Sequence, residues 1–521
     1  MTESRMPALQ TAWRESFERL DGDREGRLRA QTYLNASTAI YHDSVVPIGA
    51  IPKLYDTATL QQFDELVKTL NAILEKVMRR FREDASYRSL FGFSPMLERL
   101  IMLPTGYERL IPIMRADIFW NEQTGAFQFC ELNTDGTSAM NEDREGANAL
   151  ALTTTYAELA PLLHVTPQEL FDPWVEAFER IYRSSEQAVA DPVVAIVDYG
   201  ASATIFEFRE FRRRFEEAGL RCLICDIPSL QYRDGALYGN DIDPDHPAHM
   251  LPLRIDAIYR RAVSAEIVAE LETSAARDRG AWALVGATED RSVCLIGGFV
   301  THIAHAKQLF SVLHLPETHA LLNSEEVAFV QRHVPYTTRL DSAHVDLGTV
   351  KLDRKQWIIK PEDGYASQGV FAGVDYSASD WTALIDEHAG GATGGATGGA
   401  SATGDGSVLR SLAGDSTEGT GRSEGGEDGA GGGYVVQSYV RQYATPNIRV
   451  DDPDGTIEPW NILTGLYVYD GRFSGIFVRA GQKGIIVGTA GGITVPALLA
   501  DYDDSSGLAL RTREAQREDS V

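Results

Sequence analysis

Residues 109–133 read RLIPIMRADIFWNEQTGAFQFCELN, and this stretch decides the fold. Ile111, Ile113, Ile118 and Trp120 supply apolar positions, Asn121 to Gly125 supplies turn formers, and Phe127 and Phe129 resume the alternation. Apolar alternation on both sides of a turn predicts a β-hairpin. Asp117, Glu131 and Asn133 are hard oxygen donors on it, and Glu131 and Asn133, two apart on one strand, point to one face. Three converging oxygen side chains among apolar neighbours suit Mg²⁺ bridging phosphates. A solvated polar strand face would use the same residues.

Toward the C-terminus, Trp357 to Val370 reads WIIKPEDGYASQGV, an apolar strand that delivers Lys360 into a loop holding Gly364 and Gly369. Such a lysine can set a cation on nucleotide phosphates while a small-residue loop lays backbone N–H groups over them. A glycine-containing hairpin turn beside a snorkelling lysine is the alternative. The spacing is neither a Walker A loop nor a dinucleotide fingerprint. Tyr434 to Val440, YVVQSYV, is an apolar strand breaking into polar residues, able to offer backbone groups to an adenine edge. Leu466 to Arg479 reads as a hairpin that turns at Asp470-Gly471 and ends by presenting Arg479.

Upstream, residues 1–100 read as helical, with apolar residues from Leu60 to Phe81 at three-and-four spacing. Residues 193–263 look like a small α/β unit: a strand at Val193 to Val197, a helix around Phe206 to Ala218, a stop at Gly219, and a strand from Leu220 to Asp226. A later strand, Ala257 to Tyr259, ends in Arg260 and Arg261, which either frame a crevice at the strands' carboxyl ends or simply reach solvent. Cys222 and Cys225 fall inside an apolar run and read as core strand cysteines, with redox or metal use as the alternative. From Ala389 to Gly433, including GATGGATGG at 391–399, the composition is too polar and glycine-rich to offset chain entropy. It is expected to be a disordered insertion between strands at Val370 to Val374 and Tyr434 to Ser438, and the tail beyond Tyr502 is expected to be loose.

The chain has 521 residues, 43% of them hydrophobic, which suffices for a large core in two to four domains. Its formal net charge of −27 speaks against nucleic-acid phosphates or an anionic membrane surface as partner. No apolar run approaches a bilayer's thickness, and Met1 to Arg14 carries charges where a signal peptide needs an apolar stretch, so a cytoplasmic location is expected. Four cysteines are too few for a disulfide framework.

Taken in order, these pieces resemble the synthetase domain of the glutathionylspermidine synthase family, ATP-grasp ligases whose metal-binding motif precedes their nucleotide-binding lysines. Arg115 and Asp117 match its Arg-x-Asp strand, and Glu131 and Asn133 match its Glu-x-Asn. His305-Ala306-Lys307, leading to Leu321 and Leu322, is similar to its Ser-Asn-Lys helix. Lys360 falls on its second lysine, Gln437 on its Tyr-Gln hinge beside the adenine, and Arg479 on the arginine closing its last hairpin.

The resemblance covers roughly residues 100–500 and implies a mixed α/β chain, a circularly permuted ATP-grasp fold with a small Rossmann-like subdomain and an N-terminal helical region. The implied units are a helical region at 1–100, metal-bearing strands at 101–160, the Rossmann-like subdomain at 190–300, nucleotide-binding lobes at 301–500 and a flexible tail at 501–521. The implied ligands are ATP and Mg²⁺, as two ions on Asp117, Glu131 and Asn133. Lys307, Lys360, Gly364, Ser367, Gln368, Gly369, Gln437 and Tyr439 would hold the nucleotide, with Arg115 and Arg479 in catalysis.

The implied activity joins a small-molecule carboxylate to an amine through an acyl phosphate. A non-catalytic ATP-binding scaffold and a small-molecule kinase are the rivals. Thr134 to Ser138 departs from the family's Ala-Asp-Thr-Pro segment, the interval from Lys307 to Lys360 is long, and the amidase domain of the family's bifunctional members is not expected from these residues. Glutathione and spermidine are therefore not implied. Asp135, Glu142, Asp143 and Glu145 offer charge to a cationic acceptor, or form a solvated helix start at Asn141.

Overall fold

The computed structural model describes residues 4–41, 43–200, 204–244, 246, 251–362, 369–389, 433–452, 454–486 and 491–502. Gly364, Ser367 and Gln368, the bulk of the 389–433 insertion and the tail after Tyr502 lie outside the described residues.

The opening hairpin pairs Ile113–Trp120 with Phe127–Asn133, antiparallel, around the turn at residues 121–126. Its apolar residues divide between two cores. Met114, Ala116, Ile118 and Trp120 pack with the long helix Thr57–Glu83, whereas Ile113 joins a second core with Trp174 and Tyr469. Arg115 and Asp117 therefore project from the face opposite the helix, as strand alternation requires. The register shifts after Asp117, which pairs with Glu131, while Ile118 pairs with Phe129. Cys130 is the extra residue of this β-bulge.

The hairpin is half of a larger antiparallel sheet. Glu458–Tyr469 adds beside Ile113–Trp120, followed by Arg472–Gly481 and Ile493–Val495, with Ala444–Asn447 on Glu458–Tyr469. The expected turn at Asp470-Gly471 joins the two long strands, with both residues at positive φ. The helix behind the sheet begins where the Asp56 carboxylate accepts the Thr59 amide at 2.8 Å, and it buries Phe63, Leu70, Leu74 and Phe81 at helical spacing.

A second antiparallel sheet runs Thr337–Arg339, Tyr434–Ser438, Trp357–Pro361 and Phe371–Ala372. Ile359 and Val436 pack on one face with Trp381 and Ile385. Lys360 and Gln437 share the other face, because Lys360 pairs with Val435 and Ile358 with Gln437. The strand expected at Val370 to Val374 is shorter, giving way to a turn at Gly373–Asp375, and the helix Ala378–His388 precedes the insertion.

The third sheet is parallel, ordered Cys294–Ile296, Ala257–Arg260, Val193–Asp198, Arg221–Asp226. Helices Asp172–Arg183 and Ile205–Glu217 cover one face, and Ser264–Thr273 and Gly280–Glu289 the other. This is the layering of a Rossmann-like unit. Cys222 and Cys225 are free, buried core residues of its strands.

The molecule is thus of the mixed α/β class expected. The N-terminal region is not purely helical, since short strands at Ile40–Tyr41, Ser44–Val45 and Lys53–Tyr55 interrupt it. After the hairpin, residues to 160 form two helices, Met140–Leu150 and Thr154–Leu159. Among the described residues no helix is long and apolar enough to cross a membrane.

Candidate active site

Register places Arg115 and Asp117 on one strand opposite Asn133 and Glu131 on the next. On the other side Asp117 faces Gly465, and two residues along the same strand Leu463 faces Arg479. Alternation puts all five polar side chains on one face, so five positions scattered from 115 to 479 converge. Gly465 makes this possible. A Cβ there would lie 2.8 Å from Asp117 Oδ1 and 2.7 Å from Arg115 Cδ, so glycine leaves the lane through which Arg479 reaches across the central strand.

Asp117 is the hub. Its Oδ1 accepts from Arg115 Nε at 2.7 Å, and its Oδ2 from Arg115 Nη2 at 3.1 Å, Asn133 Nδ2 at 3.1 Å and Arg479 Nη2 at 2.7 Å. Its side chain is 1% exposed, whereas that of Glu131 is 29% exposed and open to a ligand. Arg115 Nη1 also donates to Ser138 O, fixing the segment after Asn133. Burial alone would lower the Arg115 guanidinium, but the Asp117 carboxylate holds it above its ordinary value.

The two lysines arrive from elsewhere. Lys360, buried on the second sheet, donates Nζ to the carbonyl of Cys130 at 3.1 Å. The bulge thus docks one sheet on the other through a lysine. Lys307 stands at a break between the short helices His302–His305 and Gln308–Leu313, where Ala306 is extended, and not within a helix. Burial pushes the Glu131 carboxyl up, but Lys307, Arg479, Lys360 and Arg115 together bring it down to about 2. Four cations surround two carboxylates, which leaves a surplus of positive charge within a strongly acidic chain.

Asp117, Glu131 and Asn133 offer the oxygen donors that a hard divalent cation takes, on condition that Arg479 and Asn133 Nδ2 give up Asp117 Oδ2 and Asn133 turns its carbonyl oxygen to the ion. Among the described residues no group of three or more His, Cys, Asp or Glu side chains is placed to hold a metal. The set here has two carboxylates and one amide.

Gln437 is buried, donating Nε2 to Thr337 Oγ1 at 2.9 Å. The amides of Ser438 and Tyr439 are engaged by the carbonyls of Tyr336 and Gln356, so those donors do not face a ligand. Tyr439 directs its hydroxyl to Gln442. Gly369 is at φ 68°, and a Cβ there would lie 2.8 Å from the Tyr434 hydroxyl. Gly364, Ser367 and Gln368 fall outside the described residues.

The solvated helix start expected at Asn141 is overturned. Asp135, Asn141, Asp143 and Glu145 are all buried. Asp135 accepts from Arg260 Nη2 at 2.6 Å, from the Ser264 amide and hydroxyl, and from Thr301 Oγ1 at 3.1 Å, with His302 Nδ1 at 3.2 Å. Glu207, not foreseen from sequence, accepts the amides of Ala139 and Asn141 and pairs with Arg261 at 2.9 Å. Arg260 and Arg261 are therefore inward partners of buried acids instead of solvent-exposed strand ends. Gly465 had a sequence signal, a glycine inside a strand pattern; Glu207 had none.

No protein-family model matches the chain, and no curated protein matches it. Among solved structures it is similar to a glutathione synthetase-like effector, GSS30, from Globodera pallida in its apo form. Identity is 10% over 91% of this chain and 96% of that one, with a TM-score of 0.47. A likeness of that degree says nothing about any residue, substrate or activity.

Proposed function

We propose that the chain is an ATP-dependent carboxylate–amine ligase of the circularly permuted ATP-grasp type. The observation that carries this reading is the convergence of Lys307, Lys360, Arg115 and Arg479 around Glu131 where two antiparallel sheets meet, a cluster of positive charge in a chain of net charge −27. Such a cluster attracts a polyanion that the rest of the surface repels.

In this reading Lys307 and Lys360 hold the ATP phosphates, and water that would hydrolyse an acyl phosphate has to be kept from the site. Mg²⁺, held by Asp117, Glu131 and Asn133, would neutralise phosphate charge. Arg115 and Arg479 stabilise charge on the transferring phosphoryl group and on the oxyanion formed when the amine attacks. Asp117 grips Arg115 through Nε and Nη2, so that this guanidinium needs little reorientation as charge develops, while Arg479 is released toward the transferring group.

The test is phosphate release from Mg-ATP by purified protein, screened against pooled carboxylates with pooled amines. Release that requires one carboxylate pool and one amine pool, and disappears in Lys360→Ala, supports the reading. A stable phosphorylated product formed without amine would point to a kinase, and ATP binding without turnover in any pool would refute the ligase.

A further inference from the structure

Four acidic residues follow the hairpin, and three of them are spent inside the protein. Asp135 is consumed by Arg260, Ser264, Thr301 and His302, Asp143 by the amide of Ala497, and Glu145 by Tyr33, Thr38 and Arg144. Glu142 differs. It is half-buried, and its one hydrogen bond among the described residues comes from the Thr494 hydroxyl at 3.3 Å. Thr494 is the cross-strand partner of Arg479, so Glu142 meets the same sheet face that carries the arginine pair.

Position relative to charge separates the two accessible carboxylates. Glu131 feels Lys307 first, then Arg479, Lys360 and Arg115, and stays ionised. For Glu142, burial and Glu207 outweigh Thr494, Arg115 and Arg479 and push its carboxyl up to about 7. Asp143, Tyr41 and Tyr467 also face it and feel its charge. The order of strands thus sets the arginines between a lysine side suited to phosphates and a side where Glu142 is the accessible acid, beside the buried Asp143, which is raised alike.

Resting on the ligase reading, we propose that Glu142 receives the ammonium group of the acceptor amine and takes its proton before attack. The freed nitrogen lone pair forms the C–N bond at the acyl-phosphate carbonyl. The C–O bond to phosphate breaks, and phosphate leaves with that electron pair and with the second proton lost from nitrogen. The substrate class follows: the acceptor presents a cationic amine, not an alcohol or thiol.

Hydroxylamine tests this, because it is mostly uncharged near neutral pH and traps an acyl phosphate as a hydroxamate without a base. With Mg-ATP and the active carboxylate pool, Glu142→Gln is expected to lose amide product by about 100-fold or more while hydroxamate formation falls less than about five-fold. Glu142→Asp should recover part of the amide rate. In the wild type the amine reaction should fall as pH drops through about 7, a limb missing from the hydroxylamine reaction. Equal loss of both reactions, or an amide rate in Glu142→Gln equal to wild type, overturns the role given to Glu142 and leaves the ligase standing. No hydroxamate from the wild type with any carboxylate overturns the ligase and this role together.

Discussion

Replacing Asp135 by alanine is expected to cost more than removing a surface acid could. The carboxylate is fully buried against Arg260, whose side chain is 1% exposed, and it gathers donors from three places: the end of a parallel strand, the Ser264 helix start and the turn at Thr301 and His302. Alanine leaves a guanidinium in the interior with the carbonyls of Ala262, Gly297 and Gly298, two hydroxyls, Ser264 and Thr301, and the Phe299 ring, but no carboxylate paired with it among the described residues. Breaking a buried pair from one side costs about 3–5 kcal/mol, whereas removing both charges costs far less. Asp135→Ala and Arg260→Met should therefore each destabilise by about that amount, and the double variant by several kcal/mol less than their sum. Urea unfolding followed by tryptophan fluorescence, arranged as a double-mutant cycle, measures the coupling. Additive single effects, or an Asp135→Ala cost under about 1 kcal/mol, would refute the buried-pair account.

Other outcomes follow from the same geometry. Lys360→Ala should weaken ATP binding by about 10- to 100-fold, the worth of a charge-assisted hydrogen bond, in calorimetric titration. Gly465→Ala should abolish turnover, because the new methyl meets Asp117 and Arg115, while circular dichroism stays native. Asp143, buried and raised to about 7, favours its protonated form when folded; its contribution is fully present below the ordinary carboxylate range and is lost as pH rises toward 7. Asp143→Asn should accordingly raise the melting temperature at pH 8 and change it little at pH 4. Burial raises the thiols of Cys130, Cys222, Cys225 and Cys294, so alkylation of native protein at pH 8 should be slow at all four and become fast in urea.

Much of this was legible in the sequence where periodicity speaks. The hairpin bearing Asp117 and Glu131, the strand delivering Lys360 and the turn at Asp470-Gly471 all follow from local pattern. The phase of alternation misled, since Ile113 and Ile118 face different cores and the strand is buried on both sides. Nor does local pattern reveal the bulge at Cys130, whose carbonyl meets a lysine 230 positions away. The burial of Asp135, Asp143 and Glu145 was equally hidden. A run of acids looks solvated until its partners are known, and here those partners are Arg260, Ala497 and Tyr33, all distant in the chain.

The sheet that carries Asp117 also sets a timetable. Ile113–Trp120 has Glu458–Tyr469 as its inner neighbour, more than three hundred residues later. At about 5–20 residues per second, a ribosome exposes the hairpin with one unpaired edge for roughly 20–70 seconds before that neighbour is made. Open apolar strand edges recruit other strands. Nascent chains stalled before residue 458 should therefore be the aggregation-prone species in heterologous expression, and slower translation would lengthen their exposure rather than help them fold.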